Sequence, residues 1–369
     1  MHGLHLIENR KLLVSLFFQH AKNMKVAITG ACGHIGISII EELDRRGIQY
    51  KALAYNDSKY LESKGIEFVT GNVNNREDIE KLLQGCDALI HSAAIISING
   101  DKGGTVRKVN VDGVRNVMQT ALDLKIKRVV HISSIHAYNA LPKNEVLDEN
   151  RNFVDETAFA YDQSKRDGQL VVKEMVSKGL NAIVLNPTSV TGAPENKLSY
   201  QGKAILDIYN NKIPAIFKGG FDWVDVRDIA NSVCNALTMG RVGENYLLSG
   251  KYYTMRDIIN IVTEVKGMKI KIPTIPVWGA RAGLPFVKLG SKITGKEPLY
   301  TAESIDVLVH GNEKISHEKA KNELGYQPEF GFDHYLEKTV IWYKENQDWW
   351  KNVKTGAYQE YYKRQYGNS

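Results

Sequence analysis

A short stretch near the N-terminus constrains the chain most, because it joins an apolar run to three evenly spaced glycines. Residues 25–28 predict a buried strand, and Gly30, Gly33 and Gly36 follow it. Apolar residues then recur one turn apart, which predicts a helix over 34–46. Gly30 permits a tight turn, Gly33 lets a pyrophosphate approach the backbone, and Gly36 lets the helix pack close to the strand. The alternative is a glycine-rich turn that binds nothing.

Strands and helices alternate through the first half of the chain. Predicted strands cover 25–28, 50–54, 66–69, 87–91, 128–132 and 182–185, and predicted helices cover 34–46, 76–84, 105–124 and 157–178. This alternation predicts a parallel sheet covered by helices on both faces, which is a doubly wound α/β fold of the Rossmann type. Ligands of such folds bind at the carboxyl ends of the strands.

The alternation breaks after Pro187. Helices are predicted over 199–211 and 226–239, and a strand over 245–248 is expected to return to the sheet. Residues 254–343 read as mostly helical, which predicts a smaller second lobe over the carboxyl edge of the sheet.

Composition and charge limit the partners and the cellular location that we expect for the protein. The net charge of +6 is not concentrated in a basic run, so neither nucleic acid nor a membrane is an expected partner. The apolar stretch 284–293 is assigned to core or to a substrate-pocket wall. The three cysteines lie far apart, which favours a reducing, cytoplasmic location and predicts no metal site. Residues 1–23 are too weakly apolar for a signal peptide and are interpreted as a dispensable extension.

One tyrosine–lysine pair suggests proton chemistry. Tyr161 and Lys165 are four residues apart on a predicted helix and therefore share a face. An ammonium near a phenol favours the phenolate, which makes Tyr161 a candidate general acid/base. Ser133 and Ser134 end the fifth predicted strand, where a hydroxyl could bind a substrate oxygen. The alternative is that the pair lies on a solvated helix face.

These motifs together resemble the extended short-chain dehydrogenases/reductases, and in particular the dihydroflavonol-reductase-like branch of the epimerase/dehydratase superfamily. The matching segments are 29–36, 91–94, 110–113, 130–138, 161–165, 186–192, 221–230 and 243–250. The resemblance implies an NAD(P)-binding domain over 24–186, to which 224–249 returns. It implies a substrate lobe over 187–223 and 250–345, followed by an aromatic tail over 346–369.

The resemblance also implies roles for individual residues. Tyr161 would be the proton donor or acceptor. Lys165 would bind the nicotinamide ribose and lower the pKa of Tyr161. Ser134, rather than Ser133, would orient the carbonyl, and Asn110 would brace the sheet. The implied cofactor-binding residues are Gly30, Gly33, His34, Ile35, Gly36, Tyr55, Asn72, Val73, Ala93, Tyr161, Lys165, Pro187 and Thr188.

Departures from the family pattern affect cofactor choice. Asn72 replaces an aspartate that would contact adenine, and Tyr55 stands where an arginine would favour NADP. Asp57 favours NAD, whereas Ser58 and Lys59 favour NADP. The resemblance to the dihydroflavonol-reductase-like branch slightly favours NADP, and we expect the protein to use both cofactors.

The predicted function is that of a carbonyl reductase or secondary alcohol dehydrogenase acting on a small-molecule carbonyl or alcohol. The alternative is an NAD-dependent nucleotide-sugar epimerase or reductase, because the tail resembles that of nucleotide-sugar 4,6-dehydratases. A second alternative is a non-catalytic NAD(P) sensor. A homodimer is also predicted through the helices at 105–124 and 157–178, with Val106, Val109, Val117, Leu170 and Val171 available for core or interface.

Overall fold

A parallel sheet of seven strands carries the structure, a computed structural model that describes residues 21–193, 195, 198–294, 301–329 and 332–345. The strands are β1 (Lys25–Thr29), β2 (Gln49–Ala54), β3 (Phe68–Thr70), β4 (Ala88–His91), β5 (Arg128–Ile132), β6 (Ala182–Pro187), β7 (Ser189–Thr191), β8 (Gly220–Asp225), β9 (Asn245–Leu248) and β10 (Lys251–Thr254). The sheet order β3-β2-β1-β4-β5-β6-β9 confirms the predicted doubly wound α/β fold.

Helices cover both faces of the sheet and form most of the second lobe. They are α1 (His34–Arg46), α2 (Lys59–Ser63), α3 (Arg76–Leu83), α4 (Thr105–Arg107), α5 (Val114–Asp123), α6 (Ala160–Ser177), α7 (Tyr200–Tyr209), α8 (Val226–Ala236), α9 (Met255–Lys266), α10 (Val277–Thr294), α11 (Ala302–His310), α12 (Glu318–Leu324) and α13 (Phe332–Glu345). No helix among the described residues is long and apolar enough to cross a bilayer.

The third strand begins two residues later than predicted. The N–H of Ile66 donates to the Leu61 carbonyl at 2.9 Å and thereby closes the turn after α2. The Glu67 carbonyl accepts from the N–H of Ala52, and paired residues begin only at Phe68. The apolar run therefore closes the turn at Ile66 and forms a strand only from Phe68.

The predicted helix over 105–124 contains a π-helical turn at Lys108–Gly113 between α4 and α5. A Cβ on Gly168 of α6 would lie only 2.7 Å from the Asn110 carbonyl oxygen, so the two helices touch backbone to backbone there. The Asn110 side chain bonds the N–H and carbonyl of Ile95 and the Ser164 hydroxyl. It braces the segment after β4 against α6.

The chain after β6 also builds a second, three-stranded sheet in the order β10-β8-β7. Strand β9 pairs in parallel with β6, as expected for the segment that returns to the main sheet. The small sheet was not predicted, because its strands are short and come from distant segments. In the lobe, Leu284 packs against the cluster of Phe217, Ile305 and Leu308.

The burial of individual residues bears on two of the sequence predictions. Ala21, inside the extension predicted to be dispensable, is buried in the main cluster at 2% exposure, whereas residues 1–20 lie outside the described residues. Of the apolar residues offered for a dimer interface, Val106, Val117 and Val171 are buried within the chain, and Leu170 is 45% exposed. Leu170 is thus the large apolar side chain that α6 presents to solvent.

Arg128 at the start of β5 ties the sheet to the end of α8. Its buried guanidinium donates to the carbonyls of Ala236, Met239 and Gly240 and to Asn181 Oδ1. Burial lowers the pKa of Arg128 to about 10. These bonds satisfy carbonyls that the end of a helix leaves without backbone partners.

Replacement of Arg128 by Met is expected to lower the free energy of unfolding by about 3 kcal/mol, because each buried acceptor left unpaired costs roughly 1–3 kcal/mol. The control is Arg115→Met, which removes a half-exposed pair with Glu174 and should cost less than about 1 kcal/mol. Urea denaturation followed by circular dichroism measures both variants. Equal losses would contradict the assigned role of Arg128.

Candidate active site

The glycine turn after β1 is built on close backbone contacts. Gly30 has a φ of 73°, and a Cβ there would lie 2.6 Å from the N atom of Ala93. A Cβ on Gly36 would lie 2.1 Å from the Gly30 carbonyl oxygen. Gly33, in contrast, is exposed and donates its N–H to the Gly30 carbonyl at 2.9 Å. The turn therefore packs tightly on its inner side and opens to solvent at its middle glycine.

The N-terminus of α1 offers backbone donors to an anion. Gly33 precedes the helix without a side-chain cap, and no acidic residue lies in the first turn, which begins with His34 and Ile35. His34 Nε2 lies 2.6 Å from the Gly192 carbonyl oxygen, and Nδ1 lies 3.5 Å from Glu195 Oε1. This uncapped helix end and the open glycine turn fit the pyrophosphate of a dinucleotide.

The segments that follow β2 and β3 contain the residues predicted to contact the adenosine half of the cofactor. Tyr55 is 64% exposed, and Val73 is buried. Asn72 Oδ1 accepts from the N–H of Asn74 at 2.9 Å, and the N–H of Asn72 donates to Asp78 Oδ2. Asn72 is thus held by its own loop.

The loop that bears on cofactor choice has internal bonds that the sequence did not indicate. Asp57 Oδ1 accepts from the N–H of Lys59 at 3.2 Å, and the Ser58 hydroxyl donates to Glu62 at 2.5 Å. The Ser58 hydroxyl is therefore already engaged, while the Lys59 side chain is exposed at the start of α2.

Ser134, Tyr161 and Lys165 come together beyond the carboxyl end of β5. All three are buried, with exposures of 7%, 8% and 6%. The Ser134 hydroxyl hydrogen-bonds the Tyr161 phenol, and Lys165 Nζ lies 6.0 Å from the centroid of the phenol ring. Ser133 is engaged elsewhere, because its hydroxyl accepts from Gln169 Nε2 at 2.8 Å. Ser134 is the serine that faces Tyr161.

Burial dominates the electrostatics of this group. It raises the pKa of Tyr161 well above its ordinary value, although the bond from Ser134 opposes the shift. Burial also lowers the pKa of Lys165 to about 8. Desolvation of the phenol is the largest influence on the Tyr161 pKa, and the charge of Asp162 adds to it.

A histidine–aspartate pair adjoins Tyr161 and was missed from the sequence. His136 Nδ1 lies 2.8 Å from Asp162 Oδ1, and the imidazole meets the Tyr161 ring edge to face at 5.4 Å between centroids. Asp162 raises the pKa of His136 against the opposing effect of burial. The pair joins residues 26 positions apart, so no local spacing pointed to it.

Pro187 and Thr188 end β6 at the same edge of the sheet, and both are buried. The Thr188 hydroxyl donates to Asp222 Oδ1 at 2.7 Å, and the N–H of Gly250 donates to the same oxygen at 2.8 Å. Burial raises the pKa of Asp222 to about 6. Asp222 was not predicted as a site residue, because its link to Thr188 depends on the unpredicted small sheet.

No group of three or more His, Cys, Asp or Glu residues suited to hold a metal ion occurs in the described part of the chain. The site therefore consists of an anion cradle, a buried Ser–Tyr–Lys group and two carboxylates that hold neighbouring side chains. This arrangement suits hydride chemistry on a carbonyl with a bound nicotinamide.

Comparisons with known proteins agree with this geometry. The model of the NAD dependent epimerase/dehydratase family matches residues 26–249. Sterol demethylase protein B of Methylococcus capsulatus is 28% identical over 87% of this chain and 99% of that protein. A putative dihydroflavonol 4-reductase of Synechocystis is 26% identical over 86% and 94%. The crystal structure of gox2253 has a TM-score of 0.74 at 26% identity and covers 88% of this chain and 98% of its own.

Replacement of Gly36 by Ala is expected to weaken NADPH and NADH binding about tenfold to a hundredfold, because the helix N-terminus must move away from β1. Loss of one charged hydrogen bond to the pyrophosphate costs roughly 1.5–3 kcal/mol. Nicotinamide fluorescence titration measures the affinities. Gly279→Ala is the control, since a Cβ there meets nothing within 4 Å. Unchanged affinity in Gly36→Ala would place the cofactor elsewhere.

Proposed function

The chain belongs to the NAD dependent epimerase/dehydratase family, and we propose that within it the protein is an NAD(P)-dependent carbonyl reductase or secondary alcohol dehydrogenase. The observation that carries the proposal is the buried group of Ser134, Tyr161 and Lys165 at the carboxyl edge of the sheet, the edge at which α1 begins with an uncapped N-terminus. The relatives named sterol demethylase protein B and putative dihydroflavonol 4-reductase support carbonyl chemistry on a mid-sized apolar substrate.

Ser134, Tyr161 and Lys165 each have a separate role in the proposed reaction. When bound, the nicotinamide supplies or accepts the hydride. The Ser134 hydroxyl donates to the substrate oxygen and orients the carbonyl. Tyr161 gives the same oxygen its phenol proton in reduction, which agrees with its raised pKa. Lys165, next to Tyr161 on the helix face, stabilises the phenolate that results.

The nucleotide-sugar alternative has less support at the site. Dehydratases of that kind carry two acids after the serine or threonine of β5, whereas this chain has Ile135 and His136 there. They place an arginine where this chain has Phe221, which packs edge to face on Trp223. The tail that resembles theirs lies outside the described residues. A non-catalytic sensor would have no need of the Ser–Tyr–Lys group.

We also propose that the protein forms a homodimer through the helices around Leu170, which light scattering at micromolar concentration tests. A monomer would contradict it.

The substrate is to be sought in a panel of 4-nitrobenzaldehyde, cyclohexanone, flavanone and UDP-glucose. Each compound is tested with NADPH and with NADH, and the reaction is followed by the nicotinamide absorbance.

Replacement of Tyr161 by Phe is expected to lower kcat for the best carbonyl of the panel about a hundredfold or more, because general acid catalysis contributes roughly 10²–10⁴. Fluorescence titration of the cofactor separates this loss of kcat from any weaker binding, because Tyr161 is also one of the implied cofactor contacts. Tyr50→Phe is the control, since the Tyr50 hydroxyl donates to the exposed Asp44 of α1. Near-wild-type turnover in Tyr161→Phe would refute the mechanism.

The protein is expected to use both cofactors with a modest preference for NADPH. Lys59→Ala should reduce that preference about threefold, because exposed charge pairs contribute less than about 1 kcal/mol. Asp57→Asn should increase it, since the amide keeps an acceptor for the N–H of Lys59 but loses the charge that repels a 2′-phosphate. The ratio of kcat/KM for NADPH and NADH measures both, with Lys173→Ala on α6 as control. Strict NADH dependence unchanged by either substitution would contradict this assignment.

A further inference from the structure

The histidine beside Tyr161 is positioned by the same turn as the serine. His136 lies in the 3₁₀ turn Ile135–Ala137 that follows Ser134, and its N–H donates to Ser134 Oγ at 3.2 Å. The serine oxygen is thus an acceptor for the backbone, and its hydrogen is available to the phenol or to a substrate. Displacement of this turn would move Ser134 and His136 together.

Asp162 fixes the orientation of the imidazole. Its carboxylate binds Nδ1 at 2.8 Å, with side-chain exposures of 31% for His136 and 16% for Asp162. No residue that the structure describes forms a hydrogen bond with His136 Nε2. The imidazole therefore has three neighbours. Its Nδ1 bonds the Asp162 carboxylate, its ring packs edge to face on the Tyr161 ring, and its exposed part faces solvent.

The surrounding charges favour a proton on this imidazole. Asp162 raises the pKa of His136, and Lys165 on the same helix lowers it. Glu303 of α11 approaches Asp162 from the other lobe and accepts from the N–H of Gly100 at 3.0 Å. Burial raises the pKa of Glu303, the bond from the N–H of Gly100 opposes the rise, and the charge of Asp162 adds to it.

We propose that His136 is a proton-relay residue that reloads Tyr161 during carbonyl reduction. The proposal rests on the function proposed above. Tyr161 is buried, and after it has given up its proton it needs a donor that reaches solvent. His136 is the ionisable side chain that contacts the Tyr161 ring and is itself partly exposed.

The relay balances in protons and moves no electrons. The O–H bond of Tyr161 breaks as the reduced substrate oxygen takes its proton, which leaves a phenolate. The Nε2–H bond of the imidazolium then breaks as the phenolate takes that proton, directly or over one water molecule. Neutral His136, still bonded to Asp162, takes a proton from solvent. In alcohol oxidation each step runs in reverse.

The test measures kcat for reduction as a function of pH in the holoenzyme, with NADPH and the carbonyl of the panel that wild type reduces fastest. His136→Ala should lower kcat about tenfold to a hundredfold, and added imidazole should restore part of the loss. His310→Ala, at an exposed site on α11, should be unaffected. Because the relay needs protonated His136, kcat should fall as pH rises through the His136 pKa.

Asp162→Asn separates proton transfer from a structural role. It removes the carboxylate that raises the His136 pKa, so the alkaline loss of kcat should move to lower pH. Asp167→Asn, on the same helix but paired with Arg107 at the surface, should leave the profile unchanged.

Three outcomes would overturn the relay. The first is a His136→Ala enzyme with wild-type kcat, the second is a loss that imidazole does not restore, and the third is a profile that Asp162→Asn does not shift. Each leaves the proposed function intact as long as Tyr161→Phe is inactive. An active Tyr161→Phe enzyme would instead refute the proposed function itself.

Discussion

The close packing of backbone at the glycine turn is the contact on which the site depends. Gly36 packs against the carbonyl of Gly30, and Gly30 packs against the backbone of Ala93, at distances that no side chain tolerates. These contacts fix the start of α1, the end of β1 and the segment after β4 relative to one another. Because the sheet is parallel, the ends of β5 and β6 lie at the same edge, and the polar groups that follow them face the same region.

Desolvation then determines the protonation states of those groups. Tyr161 and Lys165 are both buried, and burial favours the neutral phenol and a lysine pKa of about 8. Beneath them, His91 and His131 stack at 5.3 Å between ring centroids, and burial lowers the pKa of both, so neither adds positive charge. The role of proton donor proposed for Tyr161 agrees with this raised pKa.

The sequence was sufficient for the elements whose signals are local. Alternating apolar runs predicted the main sheet, and the i, i+4 spacing of Tyr161 and Lys165 placed both on one face of α6. The comparisons confirmed the family, and a putative dihydroflavonol 4-reductase is among the relatives. Periodicity failed where long-range pairing decides the structure. The small sheet of β7, β8 and β10, the bond from Thr188 to Asp222 and the His136–Asp162 pair join segments that are distant in sequence.

The pKa of Tyr161 shows why spacing alone could not give the chemistry. A lysine four residues away predicts a lowered pKa, but the value depends on how much water each group loses and on how far apart the charged atoms lie. With the phenol buried, desolvation is the largest influence on the Tyr161 pKa and raises it. A buried acid of this kind donates its proton readily only to an oxygen that is gaining negative charge, which is what hydride transfer to a carbonyl produces. The same burial separates Tyr161 from bulk solvent, which is why the proposed relay needs a neighbour that reaches both the phenol and water. His136 satisfies both conditions, because Asp162 holds it against the phenol ring while about a third of its side chain stays exposed.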